Sequence, residues 1–288
     1  MRAEVIATIA EMCGRLITEP RQTRTVGCVP TMGALHAGHG ALIERARAES
    51  DLVVVTIFVN PIQFDRKDDY NLYVRQLDAD RAFCEARGTD VIFAPSAQEM
   101  YPETSETFVE VPLVARHLCG AFRPGHFRGV ATVVAKLFNI IQPDTAYFGE
   151  KDAQQVAVIQ QMVRDLNFPT RIVAVPTVRE SDGLALSSRN QRLTEKQRRA
   201  APTLYRALAE GRRIIAGGER DSARVKAAAT SVLRAEPGLE LEYLEIVDPL
   251  MQPVAEISGD VRLVAAAWCG STRLIDNLPC PAGVPEPD

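Results

Sequence analysis

The protein is a chain of 288 residues, of which 46% are hydrophobic and 24% are charged. This composition is typical of a folded globular protein and excludes a largely disordered chain. The formal net charge of -4 argues against a surface built mainly for nucleic-acid backbones, although a local basic patch is compatible with it.

The first two thirds of the chain alternate between strand and helix patterns. The run LVVVTIFV is rich in β-branched residues, as expected for a strand buried on both faces. In chain order we predict strand 26–29, helix 39–50, strand 52–59, helix 73–87, strand 90–95, helix 126–141, strand 145–148, helix 152–166 and strand 171–176. This alternation predicts an α/β fold, with a Rossmann-like parallel sheet that carries helices on both faces. Ligands of such sheets bind beyond the carboxyl ends of the strands.

The last third of the chain has a different pattern. Thr194 and Gln197 have the spacing of a capping box, which predicts the start of a long arginine-rich helix that ends near residue 217. A helix over 221–235 and strands over 239–247, 261–268 and 272–276 follow in the predicted order. These elements predict a smaller α+β domain with an antiparallel sheet, so we divide the chain into domains 1–177 and 178–288. The proline-rich tail from residue 278 onward is expected to be irregular.

Cysteine usage and hydropathy bear on the compartment. The six cysteines are scattered without metal-type spacing, which predicts reduced and mostly buried thiols. The N-terminal segment lacks the basic and apolar regions of a signal peptide, and no apolar run approaches the roughly 18 to 20 residues of a membrane span. We therefore expect a soluble cytoplasmic protein with no membrane partner.

The first candidate motif is PTMGALHAGH, residues 30–39, between a predicted strand and a predicted helix. His36 and His39 lie at the expected helix N-terminus, where free N–H groups and the helix dipole favour an anion. Gly33 and Gly38 allow the backbone to approach a ligand closely. The pattern favours a nucleotide-phosphate site in which imidazoles stabilise developing charge. A glycine-rich turn with incidental histidines, or a zinc site, is the alternative.

The second motif follows the most apolar predicted strand. Asn60 and Gln63 carry neutral amides, which both donate and accept hydrogen bonds and therefore suit a polyhydroxylated acid. A simple strand-ending turn at Asn60-Pro61 is the equally plausible alternative.

The third motif, YFGEKD at residues 147–152, again lies between a predicted strand and a predicted helix. Gly149 permits close backbone approach, Lys151 supplies a cation for phosphate, and Asp152 suits ribose hydroxyls. Gln155 lies one helical turn beyond Lys151 and can face the same ligand. The alternative is a charged helix N-terminus without a ligand.

The fourth motif lies at the predicted domain junction. Ser187 and Ser188, followed by Arg189, form a plausible clamp for terminal phosphates. A polar linker with an incidental arginine is the alternative.

Together these motifs resemble the pantothenate synthetase family of HxGH nucleotidyltransferases. The resemblance covers residues 25–192 and includes the RPGHFRGV segment at 123–130 and the PTVRESDGLALSSRN segment at 176–190. It implies that pantoate is activated by ATP to pantoyl adenylate with release of pyrophosphate, and that β-alanine then displaces AMP to give pantothenate. Domain 1–177 would bind nucleotide and pantoate, and domain 178–288 would form a lid.

The resemblance also implies roles for individual residues. His39 would be the proton donor, and His36, Lys151 and Arg189 would act with it as catalytic groups. The implied ATP site comprises Met32, Gly33, Ala34, Leu35, His36, Ala37, Gly38, His39, Gly149, Glu150, Lys151, Asp152, Val178, Leu186, Ser187, Ser188 and Arg189. Gln63 and Gln155, with Asn60, would bind pantoate, and Gln63 would also border the β-alanine position.

Further expectations concern cofactors and assembly. Mg²⁺ should accompany ATP, and its protein ligands are unknown. Asp78 and Asp80 are candidate ligands, but we favour the interpretation that both are exposed acids on the surface of a helix. The resemblance implies a homodimer. Three positions depart from the family pattern: Leu186 replaces a methionine, Asp65 a glycine and Val74 a proline.

Three alternative functions remain at this point. One is an HxGH adenylyltransferase that acts on a nucleotide or phosphopantetheine, and another is a tRNA-charging enzyme, although no segment resembles an anticodon-binding module. The third is RNA binding through a basic stripe, which we disfavour because a charge-rich helix is normally a solvated face. The stripe comprises Arg189, Arg192, Lys196, Arg198, Arg199, Arg206, Arg212 and Arg213.

Overall fold

The computed structural model of the protein describes residues 2–19 and 23–281. The chain divides into two compact units. The N-terminal unit comprises Met1–Leu113, Phe122–Glu150 and Val158–Pro176, and the C-terminal unit comprises Val114–Ala121, Lys151–Ala157 and Thr177–Asp288. The C-terminal unit thus includes two short segments from the first two thirds of the chain.

A six-stranded parallel sheet forms the centre of the N-terminal unit. Its strands are β1 (Glu4–Ile6), β2 (Val26–Thr31), β3 (Leu52–Ile57), β4 (Val91–Phe93), β5 (Thr145–Gly149) and β6 (Arg171–Val175). They lie in the order β1-β4-β3-β2-β5-β6, and every neighbouring pair is parallel. The chain order reverses between β2 and β5, and such reversals mark the ligand-binding edge of doubly wound sheets.

Both faces of this sheet are buried. Val29 of β2 and its register partner Val55 of β3 pack in one cluster with the helix that follows β2. Cys28 and Val54, which point to the opposite face, are also fully buried. The predicted α/β class is therefore confirmed.

Twelve α-helices are found in the described part of the chain. Up to β6 they are α1 (Ile9–Ile17), α2 (Ala37–Glu49), α3 (Lys67–Asn71), α4 (Leu77–Glu85), α5 (Ala97–Met100), α6 (Pro112–Ala115), α7 (Cys119–Phe122), α8 (His126–Ile141) and α9 (Ala153–Asp165). Beyond β6 they are α10 (Glu195–Ala200), α11 (Thr203–Ala216) and α12 (Ser222–Arg234). None of the helices described is both long and apolar enough to cross a membrane.

The C-terminal unit contains a three-stranded antiparallel sheet, β7 (Glu240–Val247), β8 (Val261–Cys269) and β9 (Thr272–Cys280), in sequential order. Leu204 and Leu208 of α11 and Val225 of α12 are buried in one apolar cluster with Leu263 of β8 and Leu278 of β9. The predicted α+β character of this region is confirmed.

Several predicted elements need correction. The long arginine-rich helix is two helices, because Pro202 lacks an N–H and cannot lie inside a continuous helix. The helix predicted over 73–87 begins at Leu77 and ends at Glu85. The strand over Glu4–Ile6 and the helix over Ile9–Ile17 were not predicted at all.

The predicted tail also needs correction. Residues 278–280 belong to β9, where residues 261–263 pair with them. Residues 282–288 lie outside the described part of the chain.

The expected state of the cysteines is confirmed. All six thiols are free, and five of them are buried, the exception being the half-buried Cys13.

Candidate active site

The PTMGALHAGH segment leaves the carboxyl end of β2 in a sharp turn. Gly33 and Ala34 have φ angles of 81° and 52°, in the left-handed region that favours glycine. A Cβ atom on Gly33 would lie 2.8 Å from Oδ2 of Asp80, so the turn also depends on the absence of a side chain there. The Gly33 N–H donates to Oγ1 of Thr31 at 3.2 Å, and this hydroxyl donates in turn to the Thr56 carbonyl at 2.6 Å.

Asp80 of α4 stabilises the same turn from the other side. Its Oδ2 accepts the Ala34 N–H at 2.9 Å and its Oδ1 accepts the Leu35 N–H at 2.8 Å. The residue is 1% exposed, whereas Asp78 on the same helix is exposed. Our interpretation of Asp80 as an exposed helix acid is wrong, because its position brings the carboxylate under the turn. Both oxygens are already bonded to backbone N–H groups, which makes Asp80 a poor metal ligand.

The two histidines begin α2 as a capping box. Nδ1 of His36, the N-cap residue, accepts the Gly38 N–H at 3.1 Å, and Nδ1 of His39 accepts the His36 N–H at 3.3 Å. The ring centroids lie 4.2 Å apart. Since Nδ1 of each ring accepts a hydrogen bond, each neutral imidazole carries its proton on Nε2. The N-terminus of α2 therefore presents two imidazoles of fixed tautomer together with the helix dipole.

The second motif, which carries the amides of Asn60 and Gln63, forms a 3₁₀ turn, Pro61–Gln63, beyond the carboxyl end of β3. Asn60 is 1% exposed. Its Nδ2 donates to Oε1 of Gln63 at 2.9 Å and to the Gly129 carbonyl at 3.0 Å, and its Oδ1 accepts from the Tyr101 hydroxyl at 3.0 Å. Burial raises the pKa of Tyr101, which keeps this hydroxyl a donor. The Asn60 amide is therefore occupied by protein groups and fixes the orientation of the Gln63 amide.

Gln63 joins the first two motifs. Its Nε2 donates to Sδ of Met32 at 3.2 Å, so the turn after β2 and the turn after β3 are in contact. Gly129 permits α8 to pack closely against the turn of Pro61–Gln63, because a Cβ at Gly129 would lie 2.5 Å from the Ile62 carbonyl oxygen. Two motifs that are separated in sequence thus meet on adjacent strands, as the parallel sheet predicts.

The RPGHFRGV segment contacts the main chain of Gln63. Nδ1 of His126 lies 2.8 Å from the Gln63 carbonyl oxygen, and Nη2 of Arg123 donates to that oxygen at 3.4 Å. Asp65, at a position where the resemblance implies a glycine, accepts from Nε of Arg123 at 2.8 Å. Burial opposes ionisation of Asp65, but the hydrogen bond and charge of Arg123 outweigh it and lower the pKa of Asp65. Asp65 and Arg123 thus form an ion pair beside the turn of Pro61–Gln63.

We expect Asp65→Asn to lower the free energy of unfolding by about 1 kcal/mol or less at neutral pH, because the pair is partly solvent-screened. The folded-state pKa of Asp65 is depressed, so the stabilisation exists above the unfolded pKa and disappears as the pH falls through the folded pKa. Urea unfolding of both proteins at several pH values measures this. The difference should shrink as the pH falls below about 3.9, the usual pKa of an unfolded aspartate, and vanish once Asp65 is protonated in the folded protein; a difference that does not depend on pH contradicts the ion-pair explanation.

The C-terminal unit contains the fourth motif. Residues 178–186 form a hairpin in which the Leu186 N–H donates to the Val178 carbonyl at 3.0 Å and Arg179 is bridged to Ala185. The chain then enters a 3₁₀ turn, Ser188–Arg192, whose N-cap Ser187 accepts the Arg189 N–H at 3.2 Å. Val178 and Leu186 thus lie side by side at the open end of the hairpin, and Ser187 to Arg189 follow directly.

The third motif spans the division between the units. Gly149 and Glu150 belong to the N-terminal unit, and Lys151 and Asp152 begin the segment that groups with the C-terminal unit. Lys151 and Gln155 are half-buried, whereas Asp152 is exposed.

Part of the basic stripe of the C-terminal unit is paired with acids. Arg198 donates to Asp182 at 2.6 Å and to Glu180, and Arg213 donates to Glu210 at 2.7 Å. Charges that are paired in this way contribute less to binding a nucleic-acid backbone, which weakens the RNA-binding alternative.

No group of three or more His, Cys, Asp or Glu side chains that could hold a metal ion is found among residues 2–19 and 23–281. A zinc site at His36 and His39 is therefore not supported by a third ligand in the described chain.

Comparisons with known proteins cover nearly the whole chain. Residues 4–279 match the family model for pantoate-beta-alanine ligase. The pantothenate synthetase of Heliobacterium modesticaldum is 52% identical over 275 residues, which is 95% of this chain and 98% of the relative. The crystal structure of the enzyme from Thermus thermophilus has a TM-score of 0.89 at 50% identity and covers 96% of this chain and 98% of its own.

A more distant relative has been solved with ligands. It is the pantoate-beta-alanine ligase of Francisella tularensis in complex with Beta-gamma ATP and Beta-alanine. It has a TM-score of 0.80 at 35% identity, and the match covers 96% of this chain and 97% of that chain.

Proposed function

The chain belongs to the pantoate-beta-alanine ligase family, and from this premise we propose that it condenses pantoate with β-alanine at the expense of ATP. In the first step the pantoate carboxylate attacks the α-phosphorus of ATP, and pyrophosphate leaves. In the second step the amine of β-alanine attacks the carbonyl carbon of pantoyl adenylate, and AMP leaves.

The arrangement that carries this proposal is the contact between the turn before α2 and the amide of Gln63. An anion-binding helix N-terminus with two imidazoles lies beyond β2, and a buried amide lies beyond the neighbouring strand. Nucleotide phosphates suit the first and a hydroxylated acid suits the second. Reaction between ligands bound on adjacent strands gains from proximity and orientation.

We assign His39 as the donor of a hydrogen bond from Nε2 to the phosphate oxygens that gain charge as pyrophosphate leaves. His36 contacts the same phosphates from its own Nε2. The tautomers fixed by the capping box support both roles, because each ring then offers an N–H donor without prior protonation. Residues 32–38 supply the close backbone approach to ATP.

Gln63 binds pantoate in this proposal and borders the β-alanine position. The Oε1 atom of Gln63 already accepts a hydrogen bond from Asn60. Gln63 would therefore bind pantoate by donating an N–H of its Nε2. Asn60 then acts through Gln63, because its own amide is occupied within the protein. Gln155 is the second residue that we assign to pantoate.

The remaining ATP contacts are assigned to Gly149, Glu150, Lys151, Asp152, Val178, Leu186, Ser187, Ser188 and Arg189. Lys151 and Arg189 would neutralise the terminal phosphates, and Ser187 orients the start of the turn that contains Arg189. Val178 and Leu186, paired in the hairpin, are suited to an apolar contact with the adenine ring.

Mg²⁺ would enter with ATP. The described residues offer no carboxylate cage, and this fits an ion that keeps most of its water and binds mainly to phosphate oxygens. Bound there, it would neutralise charge on the triphosphate.

We further propose that the protein is a cytoplasmic homodimer and that domain 178–288 acts as a lid, as the family resemblance implies. Sedimentation analysis tests the dimer, and a monomer at micromolar concentrations would reject it.

The decisive experiment measures both half-reactions. Exchange of labelled pyrophosphate into ATP should require pantoate but not β-alanine, whereas steady release of AMP should require both substrates. Absence of AMP, or AMP release that is independent of either substrate, rejects the proposed function. A dinucleotide-like product formed with a nucleotide or phosphopantetheine would instead support the adenylyltransferase alternative.

A further inference from the structure

Two adjacent polar residues are buried in the middle of β9. Asp276 and Asn277 are each 4% exposed, and they lie between Leu274 and Leu278, two apolar residues of the C-terminal core. Buried polar side chains are costly unless they are bonded, so their partners indicate what they do. Each contacts a different segment of the C-terminal unit.

Asn277 contacts the main chain of the third motif. Its Nδ2 donates to the Lys151 carbonyl at 3.0 Å, and its Oδ1 accepts from Nη1 of Arg262. The guanidinium only donates and the carbonyl only accepts, so these two partners fix the orientation of the amide. Asn277 therefore fixes the position of the Lys151 backbone relative to β9.

Asp276 contacts the hairpin of residues 178–186. Its carboxylate forms a two-point ion pair with Arg179, at 2.7 Å from Nη1 and 2.8 Å from Nη2. The same guanidinium donates to the Gly183 carbonyl at 2.9 Å and stacks over the Tyr205 ring at 4.5 Å. Such planar, bidentate pairing fixes orientation as well as distance.

We propose that Asp276 and Asn277 are positioning residues for the triphosphate of ATP, an inference that rests on the proposed function. Asn277 places Lys151, and Asp276, through Arg179, places the hairpin from which Ser187 to Arg189 continue. Strand β9 thereby fixes the positions of two segments to which we assign phosphate contacts, the segment at Lys151 and the segment from Ser187 to Arg189. The role of Asn277 is confined to adenylate formation, since Lys151 is assigned to the terminal phosphates, which are absent from the second step.

Asn277→Asp tests this with little change in shape. The carboxylate keeps the contact with Arg262 but has no donor for the Lys151 carbonyl, so the Lys151 segment should shift. We expect kcat/KM for ATP to fall by about 10- to 100-fold, because displacements near 1 Å can cost on the order of 100-fold. The KM for β-alanine and the single-turnover rate from pantoyl adenylate supplied directly should stay at the wild-type values.

Leu278→Ala is the matched control on the same strand. It removes apolar packing from the C-terminal core and should lower Tm without a selective change in kcat/KM for ATP. If Asn277→Asp and Leu278→Ala change all kinetic constants alike, or if Asn277→Asp leaves kcat/KM for ATP at the wild-type value, the positioning role is rejected. Absence of pantothenate formation by the wild-type protein would instead reject the proposed function itself.

Discussion

His39→Ala should lower the rate of pantoate-dependent pyrophosphate exchange by about 10²- to 10³-fold, the loss typical of removing one hydrogen-bond donor to developing negative charge. In the structure Nδ1 of His39 accepts the His36 N–H, which directs the proton of the neutral ring to Nε2. Without this donor, the charge that develops on the phosphates would lose the hydrogen bond that we assign to His39. Exchange of labelled pyrophosphate into ATP measures this step without the second half-reaction.

The alanine variant also removes half of the capping box, so a second variant must separate the two effects. His39→Gln keeps an acceptor at the third helical position, where glutamine is a usual capping-box residue. We expect His39→Gln to restore the thermal stability lost in His39→Ala but not the exchange rate. Recovery of near-normal exchange in His39→Gln would show that capping, and not the imidazole, is what the reaction needs.

The fold was largely predictable because apolar periodicity is local. The β-branched run of β3 and the apolar repeat of α8 predict their own secondary structure, although α8 is buried on nearly all sides and not on one face alone. The break at Pro202 is also a local signal, and our prediction gave it too little weight beside the arginine-rich pattern. β1 has only three residues, and its pairing with β4 depends on contacts across the sheet that no local pattern reports.

The motifs were predictable from sequence, but the residues that position them were not. Asp80 lies 46 and 45 residues from the N–H groups that it accepts, and Asn277 lies 126 residues from Lys151. The spacing of Asp80 and the buried Cys84, four residues apart on α4, was an available signal that Asp80 faces inward. For Asp276 and Asn277 the signal was a pair of polar residues inside an apolar strand, which we interpreted as the strand's end.

The expected effect of Asp80→Asn is a loss of about 2 kcal/mol in the free energy of unfolding, because hydrogen bonds to a charged acceptor are worth about 1.5–3 kcal/mol. The amide keeps one oxygen but points an NH₂ group at a backbone N–H of the turn. With the turn before α2 displaced by about 1 Å, kcat/KM for ATP should fall by roughly 100-fold. Urea unfolding and pyrophosphate exchange measure the two effects.

Asp78→Asn is the matched control, since Asp78 is exposed on the same helix and should tolerate the change. Magnesium titrations at saturating ATP separate turn stabilisation from metal binding. If Asp80 positions the turn, the Mg²⁺ concentration that gives half-maximal exchange is the same in Asp80→Asn and in the wild type. If Asp80→Asn instead shifts the Mg²⁺ requirement and keeps the wild-type stability, Asp80 is a metal ligand. Its hydrogen bonds to Ala34 and Leu35 would then not be what stabilises the turn before α2.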